Sequence, residues 1–355
     1  MGVTQTLPRR PKAGAERTLY SIQYLRAAAA LAVVAYHALQ WCDLGSGGGF
    51  DVGRAGVDVF FVISGVIMWR VTAGRRVSPW AFLWRRITRI APLYWLATLL
   101  VAFIAPIWPA FLPEVRPGLR HLLLSLAFIP HLDPRGLPFP TLPPGWTLDY
   151  EMIFYRVFAF ALAFPRRARA KMAIGMLAGL VVLGFCFPQS AYFMGANPML
   201  LQFAAGIGVG LLLEKDRLPS RAWGFGLILA AVLIWTLVQA GGLFTELWRP
   251  LLWGVPALLT VTGALAIEAG GSGAAPRGLI HRGLIGLGDA SYAIYLVHLP
   301  ATAVLAHTLG YNRPWLFLPL AVVVSVLAGL ATRAWIEIPL MTAVRGGASL
   351  IPRAT

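Results

Sequence analysis

Charged residues are scarce in this chain: Asp, Glu, Lys and Arg make up 12% of its 355 residues, against about 25% in a typical soluble domain. Hydrophobic residues make up 58%, and they recur in long runs from one end of the chain to the other. No polar stretch is long enough to form a soluble domain with its own core. The long runs also exclude an outer-membrane β-barrel, whose strands alternate apolar and polar residues. The composition therefore predicts an all-α integral membrane protein.

Acidic residues are scarcer than basic ones, 14 against 30, which gives a formal net charge of +16. A strongly basic chain can indicate a nucleic-acid partner. Here the basic residues lie in the polar segments between apolar runs, and the positive-inside rule of membrane proteins explains them. We therefore expect membrane lipids and no nucleic acid among the partners.

Cysteine is nearly absent, since Cys42 and Cys186 are the only two. Both lie near the expected outer ends of spans, where a disulfide is chemically permitted, but two cysteines carry little information about pairing. The candidate ligands His37, Asp58 and Glu151 lack the close spacing of a metal site. The sequence therefore predicts no metal.

The basic residues orient the predicted spans. Arg9, Arg10, Lys12 and Arg17 precede the first apolar run and place the N-terminus inside the cell. The apolar stretch 119–130 is shorter than the ~17–25 residues that a span needs, so we interpret it as a short external re-entrant or interfacial helix. The sequence then predicts about ten transmembrane helices with both termini cytoplasmic, covering approximately 20–41, 55–71, 82–107, 146–165, 172–188, 198–213, 222–240, 250–268, 284–308 and 315–342.

These spans divide the chain into three parts. Residues 1–19 form a basic cytoplasmic tail, residues 20–342 form a single transmembrane domain, and residues 343–355 form a second cytoplasmic tail. No internal repeat indicates a transporter built from inverted halves. We expect a multi-pass protein of the cell inner (cytoplasmic) membrane.

Ionisable residues inside spans are energetically expensive, so each is a candidate for function. The first span, YSIQYLRAAAALAVVAYHALQW, carries Arg26 and His37 eleven residues apart, which is about 16 Å along a helix axis. A cationic group at one depth and a titratable base at another suit a ligand that runs along the span. His37 is a candidate general base for a hydroxyl group, because histidine titrates near neutral pH. A nearby carboxylate would orient it, as in a catalytic triad.

Other polar residues fall at the same two depths. Asp58 of GVDVFFVISG and Glu151 of GWTLDYE lie towards the outer face, near the level of His37. Arg86 and Arg89 lie towards the cytoplasm, and arginine binds phosphate groups through two parallel hydrogen bonds. The inner arginines therefore indicate a phosphorylated co-substrate.

The ninth span carries SYAIYLVH, residues 291–298. Ser291, Tyr295 and His298 share one helical face by their spacing. They can contact a substrate, or they can be polar groups that only serve helix packing.

Plainer roles stay open for other candidates as well. Glu151 can pair with Arg156, five residues further along the same span, and Asp58 can cap the outer end of its span. Four histidines have no partner pattern and are interpreted as surface or loop residues: His121, His131, His281 and His307.

The motifs and their order resemble the acyltransferase type 3 family, polytopic enzymes that O-acylate sugars of bacterial surface polysaccharides. The resemblance covers about Tyr20 to Leu340 and is most similar to the exopolysaccharide-production O-acetyltransferases. Each motif alone is weak, and their order and placement in spans are specific. They are, in chain order, LRAAAALAVVAYH (25–37), GVDVFFVISG (56–65), WRRITRIAPLYW (84–95), GWTLDYEMIFY (145–155), SYAIYLVH (291–298) and WIEIP (335–339).

The resemblance implies roles for the residues of these motifs. His37 would be the catalytic base, with Glu151 supporting the site. Acyl-CoA, commonly acetyl-CoA, would be the co-substrate, bound by Arg26, Arg86 and Arg89. Asp58 is predicted to join the catalytic group. The predicted substrate-binding residues are Trp146, Ser291, Tyr292, Tyr295 and His298.

The sequence therefore predicts an integral membrane O-acyltransferase that moves an acyl group, most simply acetyl, from acyl-CoA to a sugar hydroxyl. The acceptor is an exopolysaccharide or its lipid-linked precursor, within a polysaccharide-synthesis complex. An O-antigen, peptidoglycan or small-molecule acceptor is open, and so are direct transfer and an acyl-histidine intermediate. A transporter or flippase of lipid-linked saccharides would use Arg26, Arg156 and Glu151 as intramembrane sites. A non-catalytic scaffold is the remaining alternative.

Overall fold

The computed structural model of the chain describes residues 18–42, 51–74, 77–116, 118–187, 197–243, 248–271 and 278–348. These ranges are all-helical and contain eleven helices. In chain order they are α1 (Tyr20–Trp41), α2 (Ala55–Thr72), α3 (Pro79–Ile107), α4 (Leu119–Leu126), α5 (Trp146–Leu162), α6 (Arg166–Cys186), α7 (Leu200–Glu214), α8 (Arg221–Ala240), α9 (Val255–Ala269), α10 (Leu279–Leu309) and α11 (Pro314–Thr332, continuing through a π-helical turn, Arg333–Glu337, into Ile338–Ala348).

Eight of these helices are long and apolar enough to cross a membrane, which confirms a multi-pass helical membrane protein. The α9 helix is one of them because a π-helical turn, Pro250–Gly254, continues into it and extends it to 20 residues. The prediction of ten spans was correct only in part. The remaining two predicted spans correspond to α5 and α7, which have only 17 and 15 residues. At 1.5 Å per residue a 15-residue helix is about 22 Å long, less than the ~30 Å hydrocarbon core of a bilayer. In addition, α5 carries the ionisable residues Asp149, Glu151 and Arg156.

The stretch expected as a re-entrant or interfacial helix forms α4, which has only eight residues. It is attached to α3 by two hydrogen bonds to its carbonyl groups. The Tyr94 hydroxyl donates to Ser125 O at 3.2 Å, and Trp95 Nε1 donates to Leu126 O at 2.8 Å. Both donors belong to the middle of α3, so the short helix packs against the side of a long one.

Two histidines of this segment were expected to be surface or loop residues, and both are buried, although His131 does lie in the loop that follows α4. His121 and His131 are only 6% and 5% exposed, and His121 Nδ1 lies 2.7 Å from His131 Nε2. Burial lowers the pKa of His121, and the neighbouring His131 lowers it further. The two rings meet because the chain folds back on itself between these residues, which are ten positions apart. The sequence pattern does not reveal this contact.

The glycines of α2 and α7 position the helices around the site. A side chain on Gly206 would collide with Val62 O of α2, and one on Gly65 would collide with Phe203 O of α7. Small residues at helix interfaces permit this close backbone approach. The GIGVG run of α7 (206–210) therefore packs closely against α2, the helix that carries Asp58.

Candidate active site

A cavity of about 140 Å³ lies between α1, α2, α3, α5 and α10, and three arginines line it. Arg26 comes from α1, and Arg86 and Arg89 come from α3. None of the three guanidinium groups makes a hydrogen bond or an ion pair with another residue in the described part of the chain. A charge without a partner inside a membrane protein is costly. The cavity is therefore suited to an anionic ligand that supplies the missing partners.

The spacing of the three arginines in α3 explains why two of them reach the cavity. Arg86 and Arg89 are three residues apart and so lie on one face of the helix. Arg85 lies on another face, is exposed, and does not line the cavity. The Arg86 side chain also lies over the Phe82 ring, with its guanidinium carbon 5.9 Å from the ring centroid.

Glu151 of α5 lines the same cavity. Its Oε1 accepts hydrogen bonds from Ser64 Oγ at 2.9 Å and from the Tyr155 hydroxyl at 2.5 Å. Among the described residues it forms no ion pair, and Arg156 is exposed. The structure therefore does not support the simple pairing of Glu151 with Arg156. Glu151 instead lies within electrostatic range of Arg26, so the cavity wall carries charges of both signs.

The α10 helix supplies the remaining polar wall of the cavity. Ser291 Oγ is buried and has no hydrogen-bond partner within the ranges described above. The Tyr292 hydroxyl donates to Ile90 O of α3 at 2.6 Å. A ligand in the cavity can therefore bond to the free serine hydroxyl, while the tyrosine ties α10 to α3.

Tyr295 closes the cavity on another side. Its hydroxyl donates to Pro144 O at 3.1 Å and accepts a hydrogen bond from Thr147 Oγ1 at 3.0 Å. Its backbone carbonyl faces the His298 ring, with Nδ1 at 2.7 Å. Tyr295 thus lines the cavity and also contacts His298 through its backbone carbonyl.

His37 does not line this cavity but lies beside His298. The His37 Nδ1 atom is 3.2 Å from His298 Nε2 and 2.9 Å from Val33 O, one turn earlier in α1. The two rings are tilted at 54°, with centroids 4.9 Å apart. His298 is fully buried. The two histidines therefore form a contact pair between α1 and α10, next to the arginine-lined cavity.

Asp58 is fully buried in a second place outside the cavity wall. Its Oδ2 is 3.1 Å from Arg249 Nη2, and its Oδ1 accepts a hydrogen bond from Gln202 Nε2 at 2.5 Å. The Arg249 guanidinium lies over the Trp146 ring, 5.6 Å from its centroid. Asp58 makes no side-chain cap for its helix. Its described bonds go to Arg249 and Gln202, and Trp146 packs on that pair.

The predicted residues thus separate into three neighbouring groups. His37 contacts His298, and Asp58 lies near Trp146 through a shared arginine. Cys42 and Cys186 are not joined to each other by a disulfide. The cavity unites the largest group, namely Arg26, Arg86, Arg89, Glu151, Ser291, Tyr292 and Tyr295.

Sequence reasoning missed four residues of the site. Ser64 and Tyr155 fall inside the quoted motifs, and Tyr155 follows Glu151 by four residues, a spacing that puts the two on one helical face. Arg249 and Gln202 gave no signal, because they lie 191 and 144 residues from Asp58 along the chain.

Comparison with known proteins decides the class. A family profile described as an acyltransferase domain matches residues 19–334. The chain belongs to the acyltransferase 3 family.

This acyltransferase is similar to the exopolysaccharide production protein ExoZ of Rhizobium meliloti, with 39% identity over 82% of this chain and 90% of that protein. It is also similar to the acyltransferase MdmB of Streptomyces mycarofaciens, with 28% identity over 84% of this chain and 83% of that protein. The peptidoglycan O-acetyltransferase OatA of Listeria monocytogenes is 25% identical over 90% of this chain and 55% of that protein. No solved structure matches the chain.

The protein is therefore a multi-pass membrane acyltransferase, and its family implies an acyl donor. The transporter and the non-catalytic scaffold are set aside, because the family profile covers nearly all of the membrane domain.

The buried ion pair between Asp58 and Arg249 generates a prediction about stability. We expect Arg249→Ala to lower the free energy of unfolding by about 3–5 kcal/mol, because it leaves a carboxylate buried without its partner. Unfolding of the purified protein in detergent, followed by circular dichroism, measures the change.

The matched control for this prediction is Arg166→Ala. It removes the partner of Glu214 from a pair whose arginine side chain is 54% exposed, and we expect a loss below about 1 kcal/mol. Similar losses in the two variants would contradict a structural role for the Asp58 pair.

Proposed function

We propose that this acyltransferase transfers an acyl group, most directly acetyl, from acyl-CoA to a sugar hydroxyl of an exopolysaccharide or of its lipid-linked precursor. The observation that carries the proposal is a set of three guanidinium groups, Arg26, Arg86 and Arg89, around one cavity, which form no hydrogen bond or ion pair with the residues that the structure describes. CoA carries phosphate groups, and arginine is the side chain best suited to bind them. The similarity to a protein named for exopolysaccharide production supports the acceptor.

The size of the cavity limits which part of the donor it holds. A volume of about 140 Å³ is close to that of an engineered cavity that binds benzene. It therefore admits one phosphate or the acyl-bearing end of the donor, and the rest of the CoA extends beyond it. Arg26 and His37 are separated by about 16 Å along α1, so an extended pantetheine arm suits the distance between the arginines and the base.

The proposed chemistry uses His37 as the general base. His37 Nε2 takes the proton of the acceptor hydroxyl while the hydroxyl oxygen attacks the thioester carbonyl carbon. The carbon–sulfur bond then breaks, and the sulfur leaves as the thiol of CoA with the proton that His37 had taken. The products are the O-acyl sugar and free CoA, and His37 returns to its neutral form.

The other predicted residues take supporting parts in this proposal. Glu151 balances the charge of the arginines in the cavity wall. Ser291, with its free hydroxyl, bonds to the bound donor. Asp58 does not line the cavity. Its part is indirect, because its ion pair holds the Arg249 guanidinium over the Trp146 ring.

We also propose a location in the cell inner membrane with the arginine side of the bundle facing the cytoplasm. Acyl-CoA is a cytoplasmic metabolite, and the positive-inside rule places the arginine-rich segment around α3 on the same side. The donor then enters from the cytoplasm, and the acceptor is part of polysaccharide synthesis at the membrane.

Substitution of the cavity arginines tests donor binding. We expect Arg86→Gln and Arg89→Gln each to weaken acetyl-CoA binding about 10- to 100-fold, because each loses a hydrogen bond to a charged group worth about 1.5–3 kcal/mol. Isothermal titration calorimetry of the purified protein in nanodiscs gives the dissociation constants.

The control is Arg85→Gln, which neutralises the exposed neighbour of Arg86 in the same helix. We expect less than a threefold change in affinity for this variant, on the order of 0.5 kcal/mol. If Arg85→Gln weakens binding as much as Arg89→Gln does, then general charge attraction accounts for the affinity and the cavity does not bind the donor.

Substitution of His37 separates chemistry from binding. We expect His37→Ala to lower release of CoA thiol from acetyl-CoA by about 10²- to 10⁴-fold, the usual contribution of a general base. Acetyl-CoA affinity should stay near that of the wild type, because His37 does not line the cavity. Thiol release that is undiminished in a folded His37→Ala protein would move the base elsewhere.

A further inference from the structure

The hydrogen-bond partners of His37 and His298 assign a proton to one nitrogen of each ring. His298 Nδ1 lies 2.7 Å from Tyr295 O, and a carbonyl oxygen only accepts, so Nδ1 carries the hydrogen. A neutral imidazole has a single N–H. His298 Nε2 is therefore a bare acceptor.

The same reasoning then fixes His37. Its Nδ1 faces two acceptors, Val33 O at 2.9 Å and His298 Nε2 at 3.2 Å. Only an N–H at this position bonds to both, as a three-centre hydrogen bond. A bare Nδ1 would instead face the Val33 oxygen with two lone pairs in contact. The neutral His37 ring therefore has its hydrogen on Nδ1 and its free lone pair on Nε2.

We propose that His298 is a positioning residue for His37: it fixes the tautomer that leaves Nε2 free to take the substrate proton, and it accepts the hydrogen bond of the imidazolium that forms. This inference rests on the proposed function of His37 as the base. His298 performs the task that a carboxylate performs in a catalytic triad, but with a neutral ring, which costs less to bury in a membrane bundle than a charge.

Two observations separate this role from direct contact with a substrate. His298 is fully buried, and it is absent from the described wall of the cavity. Both of its ring nitrogens are already occupied, one by Tyr295 O and the other by His37. The sequence predicted that His298 binds substrate together with Ser291 and Tyr295. In the structure, Ser291 and Tyr295 line the cavity, whereas His298 lies one turn further along α10 and contacts His37.

The test compares two replacements of His298 in the full protein. His298→Leu removes the acceptor, and we expect kcat for thiol release from acetyl-CoA to fall about 10- to 100-fold, as for residues that orient a functional histidine. His298→Gln keeps an acceptor oxygen at a similar reach, and we expect it to recover at least part of that loss. The dissociation constant for acetyl-CoA should stay within about threefold of wild type in both.

The order of the two variants distinguishes positioning from packing. If His298 only fills space in an apolar bundle, then leucine is the better replacement and glutamine the worse one. His298→Leu with wild-type kcat, or with higher activity than His298→Gln, would overturn the proposal. The control is His307→Leu, which removes an exposed imidazole from the same helix and should leave kcat unchanged.

A measurement on the unmodified protein covers the case in which His298→Leu does not fold. Nitrogen-15 NMR of histidine-labelled protein in nanodiscs reports which ring nitrogen carries hydrogen, and His37→Gln identifies the signals of His37. We expect a protonated Nδ1 and a bare Nε2 in the resting state. A resting His37 with its hydrogen on Nε2 would contradict the inference. Failure of the wild type to bind acetyl-CoA would instead contradict the proposed function, since the NMR result does not depend on the donor.

Discussion

The cost of an unpaired charge inside a membrane-spanning bundle is the constraint on which the site depends. The protein meets this cost in two ways. Away from the cavity wall, the buried carboxylate of Asp58 has a partner of opposite charge within the chain, Arg249. Around the cavity, Arg26, Arg86 and Arg89 are left without partners in the described part of the structure. Glu151 offsets part of this charge from within electrostatic range of Arg26, and a bound anion would supply the hydrogen-bond partners that the three guanidinium groups lack there. The arginines are therefore the clearest indication of what the cavity binds.

The same constraint explains how the site is divided. The arginines and Glu151 form a charged region, whereas the hydrogen-bond partners of His37 among the described residues are neutral, namely Val33 O and His298 Nε2. A donor that is anionic at one end and neutral at its reactive thioester matches this division. Tyr295 separates the two regions and belongs to both, because its ring lines the cavity and its carbonyl holds His298.

Much of the fold follows from hydrophobic run length, because a membrane span needs a continuous apolar helix of known length. The eight long helices could be predicted in this way, and α5 and α7 show where the approach stops. Prolines confine α5, with Pro144 before it and Pro165 after it, and the polar residues that it carries belong to the site rather than to the lipid boundary. Run length alone does not separate such a helix from a full span.

The site was predictable where chemistry is local and unpredictable where it depends on packing between helices. Arg86 and Arg89 are three residues apart in one helix, and their joint position follows from that spacing alone. The pairing of Asp58 with Arg249 depends on how α2 meets a segment 191 residues away, and no periodicity encodes it. The contact of His298 with His37 is of the same kind, since it requires the approach of α1 and α10.

The most direct test of the central claim is a comparison of two ligands on the wild-type protein. Acetyl-CoA and acetyl-pantetheine carry the same thioester, but only acetyl-CoA carries the phosphates that the arginines are proposed to bind. Calorimetry in nanodiscs should give saturable binding of acetyl-CoA and much weaker binding of acetyl-pantetheine, with the difference shrinking as salt is added. Equal binding of the two ligands, or no binding of acetyl-CoA to folded protein, would contradict the account.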